Sequence, residues 1–412
     1  MRIIVLGAGF GGLMAALELE RRLRREPEIE VALIDRHPYH LFTPMLFQVV
    51  AGEVEPGHIA YPLRWLMRGK KLKFYEREIR HIDLANKKVL LDDAELDYDY
   101  LVMGLGSITN FFGVPKAESN AFPVKSLREA MAIKHRIIDA FGQAEAEPRP
   151  EVRRRLLSFS VVGGGATGVE LVASLHDLFH QVLSRDYPRI NPNEVSLFLA
   201  EASFSLLAGM DPGMGQITLK KLRVKGVDIH MGCRIVGIDE GGIHTADAAF
   251  FPCHTVIWAT GIRPNPLTEP LPVLKAKDGR IIVQDTLEAP QWPGVYIVGD
   301  IACFLNKATE TPLPCKAAVA AQEGRAAAQN ILRSLRGLDT LPFHYRYEGD
   351  LVALGRNASV ARVARRCFDG FPAWFLWRIV HLQKLPGFRN RVSVALDWTF
   401  DYLLRRDTMR LE

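Results

Sequence analysis

One short pattern occurs twice in this chain, and few folds accommodate it. An apolar strand runs into a Gly-x-Gly-x-x-Gly turn, and the turn opens a helix. The first copy is Arg2-Ile-Ile-Val-Leu-Gly7-Ala-Gly9-Phe-Gly-Gly12-Leu, and the second is Phe159-Ser-Val-Val-Gly163-Gly-Gly165-Ala-Thr-Gly168. In each, the first glycine permits a tight turn, the second lets backbone approach a pyrophosphate, and the third lets helix pack on strand. The helix N-terminus offers N–H groups and a positive dipole end to the phosphates. Each copy leads to a strand ending in an acid, Asp35 after Glu30-Val-Ala-Leu-Ile and Glu201 after Val195-Ser-Leu-Phe-Leu-Ala. A carboxylate there can accept from a ribose 2′-hydroxyl. Two dinucleotide sites are expected. Glu201 would repel a 2′-phosphate, so the second site favours NADH over NADPH.

A third element follows late in the chain: Gly294-Val-Tyr-Ile-Val-Gly299-Asp300, a buried strand delivering a carboxylate beside a glycine. Such an acid can meet a polyol hydroxyl. Paired with the opening motif, it implies that the chain returns to complete its first domain, with a second nucleotide-binding domain inserted. The length of 412 residues, too great for one core, agrees with two or three domains. Strands ending in small residues, Leu101-Val-Met-Gly104-Leu-Gly106 and Trp258-Ala-Thr260-Gly261, suit backbone lying against a cofactor. Between the first acid and these strands, residues 36–52 mix Pro, His and aromatics and read as a loop entering a short helix. Pro44 and Gln48 there are candidates to line a flat aromatic ligand, whereas His37, His40 and His58 lack the spacing of a metal site. A helix is expected over 126–142, a boundary over the polar stretch 143–155, and an extended helix around 171–186.

The remaining bulk properties exclude several classes. Net charge is +5 with no basic stripe interleaved with aromatics in the first two-thirds, so nucleic-acid binding is not expected. The five cysteines contain no C-x-x-C, which removes zinc and disulfide frameworks and suits reduced thiols in a cytoplasmic setting. The first strand begins at residue 2, leaving no room for a signal peptide, and no apolar run is long enough to span a bilayer.

Over nearly its whole length the sequence resembles the type II NADH:quinone oxidoreductases, single-subunit, non-pumping NADH dehydrogenases of the membrane surface. The resemblance rests on both glycine motifs, His40-Leu-Phe-x-Pro44-x-Leu-x-Gln48, Asn110-Phe-Phe-Gly113, Glu170, Trp258–Gly261, Val298-Gly-Asp300 and Leu354-Gly-Arg-Asn-Ala358. It implies an α/β fold of two Rossmann-like domains, the NADH domain inserted in the FAD domain, plus a C-terminal amphipathic helical membrane-anchoring segment. The corresponding division is 1–115 with 272–340 for FAD, 116–271 for NADH, and 341–412 for membrane association and dimerisation. By the same resemblance, Gly7, Gly9, Gly12, Asp35, Gly299 and Asp300 would hold non-covalent FAD, with Pro44 and Gly106 shaping the flavin pocket. Gly163, Gly165, Gly168, Glu201 and Gly261 would hold NADH. Glu170 would lie near the nicotinamide–flavin contact, and Gln48 and Gln322 would bound the quinone end.

Two departures from the family pattern fall at the quinone helix. Its first glutamine is Ala318 here, and a lysine is present at Lys316 but replaced at Glu348. In the tail, residues 371–382 and 392–404 are aromatic-rich and helical in pattern, flanked by Arg389, Arg391, Arg405, Arg406 and Arg410. Trp at the edge of an apolar face with Arg alongside suits a lipid interface, and equally a face packed on the protein's own core or a second subunit. The expected activity is transfer of a hydride from NADH to FAD and of two electrons to a membrane quinone, in a peripheral homodimer at the cytoplasmic face. Alternatives are a sulfide:quinone oxidoreductase, which needs reactive cysteines although none precedes Cys233, and an NADH-sensing flavoprotein with another acceptor.

Overall fold

Two five-stranded parallel sheets organise the computed structural model, which describes residues 1–307, 309–364 and 366–404. In chain order, β1 (Arg2–Leu6) enters α1 (Phe10–Leu23) and returns as β2 (Glu30–Asp35). Then come α2 (Leu46–Val50), β3 (Leu72–Glu76), β4 (Tyr100–Met103), β5 (Ala121–Pro123) and α3 (Leu127–Ala146). β6 (Ser158–Val162), α4 (Ala166–Asp177), β7 (Ser196–Glu201), β8 (Asp228–Met231) and β9 (Thr255–Trp258) follow. The chain closes with β10 (Val295–Ile297), α5 (Ala317–Ser334), β11 (Asp350–Ala353), β12 (Ser359–Val363), β13 (Arg366–Gly370), α6 (Phe371–Lys384) and α7 (Phe388–Leu403).

Packing divides the chain into two compact units. The first comprises Met1–Leu41, Ala60–Ile108 and Ile262–Tyr347, and the second Phe42–Ile59, Thr109–Gly261 and Glu348 onward. The first unit's sheet has the order β10-β4-β1-β2-β3, which places the glycine-motif strand at its centre with β2 and β4 on either side. Its strands are buried on both faces, as parallel sheets require, so β1 and β2 read as unbroken apolar runs. The second sheet, β5-β9-β6-β7-β8, repeats this plan around β6.

Apart from shifts of up to ten residues at the boundaries, the units differ from the expected division at residues 42–59 and in the C-terminal region, each for a packing reason. Residues 42–59 belong to the second unit, because Phe47, Val49 and Val50 of α2 are buried in a helix that packs on α3 and α4. The C-terminal region does not stand apart: β11 packs on α4, and Trp377, Val394 and Trp398 are buried within the second unit. The stretch 143–155 is no linker either, since Pro150–Leu156 forms a helix inside that unit. The extended helix around 171–186 is present, as α4 continued through a π-helical segment over Leu178–Leu183 and a last turn to Asp186.

On α6 and α7 a second apolar stripe faces outward. Phe371, Phe375 and Ile379 are exposed at intervals of four, and so are Phe388, Val392, Leu396 and Phe400. The flanking Arg405, Arg406 and Arg410 lie outside the described residues. Among the described residues, no helix is long and apolar enough to cross a membrane.

Candidate active site

The first unit holds a dinucleotide cradle built almost entirely from backbone. Gly7 has φ +90°, a conformation an L side chain rarely adopts, and a Cβ at Gly12 would stand 1.9 Å from the Gly7 carbonyl oxygen. Gly9 and Gly106, by contrast, face open space. α1 starts at Gly9 with no side-chain cap and no acidic residue in its first turn, a donor set that fits a diphosphate. Asp35 ties the turn to β2: its Oδ2 accepts from Ala8 N at 2.6 Å and its Oδ1 from His37 N at 2.7 Å. His40 supports the turn from below, with Nδ1 donating to Ala8 O at 2.8 Å and its ring edge-on to Phe10. Burial lowers the imidazole pKa, so His40 is neutral there.

At the other edge of this cradle, Ser107 Oγ donates to Asp300 Oδ2 at 2.5 Å, and the neighbouring Gly299 N donates to Glu323 Oε2 at 2.6 Å. Glu323, on α5, was not among the candidates read from the sequence. Burial and the nearby Asp300 raise its pKa to about 8, so it is a neutral acid at pH 7. Gln322, expected at the quinone end, makes a reciprocal pair with backbone: Nε2 donates to Arg346 O at 2.9 Å and Oε1 accepts from Arg346 N at 3.0 Å. The exposed Cys315 Sγ lies 4.0 Å from Arg280 Nη1.

The second unit repeats the cradle. Gly163 has φ +114°, a Cβ at Gly168 would stand 1.8 Å from Gly163 O, and Gly165 faces open space. Glu201 does what Asp35 does, accepting from Gly164 N at 2.5 Å and Ser203 N at 2.7 Å. Gly261 is a different case, because a side chain there would strike the Phe112 ring; it serves packing of the 110–113 turn.

Beyond this cradle the same unit holds a further buried acid. Glu170, on α4, is 8% exposed, and its Oε1 accepts from Ala353 N at 3.0 Å and Trp377 Nε1 at 3.2 Å. Burial, with a smaller contribution from the charge of Glu53, raises its pKa to about 8. Gln48 is buried too, with both ends of its amide engaged. Trp398 Nε1 donates to its Oε1 at 3.3 Å, and its Nε2 donates to Glu53 Oε2 at 3.0 Å. Pro44 is half-buried in the single turn Thr43–Met45 that precedes α2. Glu348 pairs with Lys384 of α6 at 2.5 Å.

Comparison with known proteins agrees with this arrangement. Residues 1–324 match the pyridine nucleotide-disulphide oxidoreductase family, the class that two such cradles define. Residues 347–407 match the NDH2 C-terminal domain. The chain is 31% identical to the type II NADH:quinone oxidoreductase Ndh of Mycobacterium tuberculosis, over 98% of this chain and 89% of that one. A type II NADH:quinone oxidoreductase of Staphylococcus aureus is 28% identical over 93% and 95%. The fold superposes on NDH2 of Plasmodium falciparum, solved with NADH, at a TM-score of 0.91 and 19% identity, covering 99% of each chain. A sulfide:quinone oxidoreductase of Aquifex aeolicus shares the fold less closely, at a TM-score of 0.76 and 16% identity. The chain belongs to the type II NADH:quinone oxidoreductases.

Proposed function

We propose that this chain oxidises NADH through non-covalently bound FAD and reduces a membrane quinone, without pumping protons. Bound FAD would accept a hydride from NADH and deliver two electrons to the quinone. The chain's own residues bind, orient and supply protons. Gly7, Gly9, Gly12 and the uncapped start of α1 receive the FAD diphosphate, with Asp35 and Asp300 placed for ribose and ribityl hydroxyls and Pro44 and Gly106 beside the flavin. Gly163, Gly165, Gly168 and Glu201 do the same for NADH. Glu170 is a buried acid on the helix that the second cradle opens, and we assign it the proton chemistry of the reaction. Gln48 and Gln322 bound the quinone end, acting through the elements their amides hold in place.

The single observation that carries this reading is the duplicated glycine cradle, each copy opening a helix and tied by a strand-end acid, Asp35 in one and Glu201 in the other. The sulfide:quinone alternative lacks support, because no cysteine precedes Cys233 and that fold is shared less closely. The outward stripes of α6 and α7 suit a lipid surface, with Arg389 and Arg391 alongside for anionic headgroups. Peripheral attachment at the cytoplasmic face and a homodimer complete the reading; vesicle flotation and sedimentation analysis test these two points. The activity itself is tested by stopped-flow bleaching of the flavin with NADH, then reoxidation by a soluble ubiquinone or menaquinone analogue. Quinone-driven recovery is expected. Recovery with oxygen alone would point instead to a different acceptor and to the altered positions Ala318, Lys316 and Glu348.

A further inference from the structure

A cavity in the second unit carries a carboxylate that the reading above leaves unused. Its walls include Gln48, Glu53, Ser174, Ala353, Arg356 and Trp377. Two of these, Ala353 and Trp377, are the residues that donate to Glu170. Ser174 stands one helical turn beyond Glu170 on α4, is 1% exposed, and its hydroxyl has no hydrogen-bond partner among the described residues. A buried hydroxyl left unmet costs about 1–3 kcal/mol, and the cavity has room for a water molecule to meet it.

Glu53 is placed by Gln48 with unusual definition. Glu53 N donates to Gln48 O at 2.7 Å, while Gln48 Nε2 donates to Glu53 Oε2 at 3.0 Å. The orientation of that amide is forced, because the Trp398 indole can only donate and so claims the Gln48 oxygen. The amide NH2 therefore points at Glu53, and Glu53 is half-exposed where Glu170 is buried.

The overall reaction requires a proton from solvent. NADH, a proton and a quinone give NAD⁺ and quinol: the hydride carries two electrons and one proton, and the second proton comes from water. We propose that Glu53, held by Gln48, and Ser174 form the proton-uptake site that recharges Glu170. The proton passes from solvent to the Glu53 carboxylate, across water held at the Ser174 hydroxyl, to Glu170, which gives up one proton and receives one per turnover. No electron moves in this step. Glu53 is a positioning residue, acting through Glu170, and the proposal rests on Glu170 serving the reaction as described above. The other charged groups around this site are Arg356 after β11, Arg378 on α6 and Asp401 on α7, all on the cavity wall, with Asp177 further along α4. Glu53 is the one whose charge acts on Glu170 directly.

The test titrates the protonated Glu170 carboxyl by infrared difference spectroscopy, on flavin-loaded protein without NADH or quinone. Its band is assigned by its loss in Glu170→Gln. Removing the Glu53 charge in Glu53→Gln should lower the midpoint by roughly one pH unit, whereas Glu53→Asp, which keeps the charge, should restore it. In turnover, Glu53→Gln and Ser174→Ala should each lower kcat for quinone about tenfold, with the KM for NADH holding. A midpoint unmoved in Glu53→Gln overturns the proposal whatever the turnover. A shifted midpoint in a protein that reduces no quinone upholds the Glu53–Glu170 coupling and overturns the functional reading instead.

Discussion

The two cradles are near copies in backbone, and among the side chains that differ between them one replaces an apolar residue with an acid. Two residues after the third glycine, the first cradle has Met14 and the second has Glu170. Met14 is half-buried, and its sulfur accepts from Arg325 Nη2 at 3.3 Å. Glu170 is sealed among Ala353, Trp377 and their neighbours.

The comparison breaks most severely at the close-packed glycines. Gly12→Ala and Gly168→Ala each place a methyl within 2 Å of a carbonyl oxygen, at 1.9 and 1.8 Å. Each should cost roughly 3 kcal/mol or more in the affected cradle, about a hundredfold in affinity. If the cradles are assigned correctly, Gly12→Ala purifies without flavin. Gly168→Ala keeps its yellow colour and is not bleached by NADH. Flavin absorbance per protein and NADH titration separate the two, and the reverse pattern would exchange the assignments.

Two buried acids sharpen the comparison in a second way, Glu323 in the first unit and Glu170 in the second, both raised to about 8. In the unfolded chain these carboxyls ionise near 4.5, the ordinary value. Between that pH and about 8, the folded state holds more protons than the unfolded one, so stability falls as pH rises through this window. Thermal melts of Glu170→Gln and Glu323→Gln should show a flatter decline there than the parent. Only Glu170→Gln should also remove a pH-dependent limb near 8 from quinone turnover. Loss of that limb in Glu323→Gln would shift the proton chemistry to the first unit.

A smaller effect is expected at the strand-end acids. Glu201→Gln should admit NADPH while weakening NADH by a few-fold, because the same oxygen that would reject a 2′-phosphate also holds Gly164 N. The ratio of kcat/KM values for the two nucleotides measures this. Smallest of all, Phe375→Asp on the exposed face of α6 should leave flavin bleaching intact and reduce flotation with anionic vesicles. Unchanged flotation would assign that face to a second copy of the chain.

The cradles were legible in the sequence because glycine spacing is a statement about backbone, and backbone geometry is local. Glu170 was legible only through family resemblance; nothing in Val169-Glu170-Leu171 announces a buried acid, and its burial comes from β11 and α6, far along the chain. Glu53 and Ser174 were invisible for the same reason, each being an ordinary polar residue until α2 and α4 meet. Gln322 is a different case: its place in a family pattern suggested a ligand contact, and what the sequence could not show is that its amide also closes a pair with the Arg346 backbone. The membership of residues 42–59 in the second unit was hidden because their sequence neighbours on both sides belong to the first.

That excursion leaves and returns through one small ladder, in which Tyr39–Leu41 pairs antiparallel with Ala60–Pro62 and Leu41 lies opposite Ala60. Because the ladder already holds the two ends of the segment together, lengthening the stretch between them adds closure cost only slowly, about 0.6 kcal/mol per doubling. Insertions at its exposed Glu55 and Gly57 should therefore be tolerated far better than changes at Phe47 or Val49, which are buried.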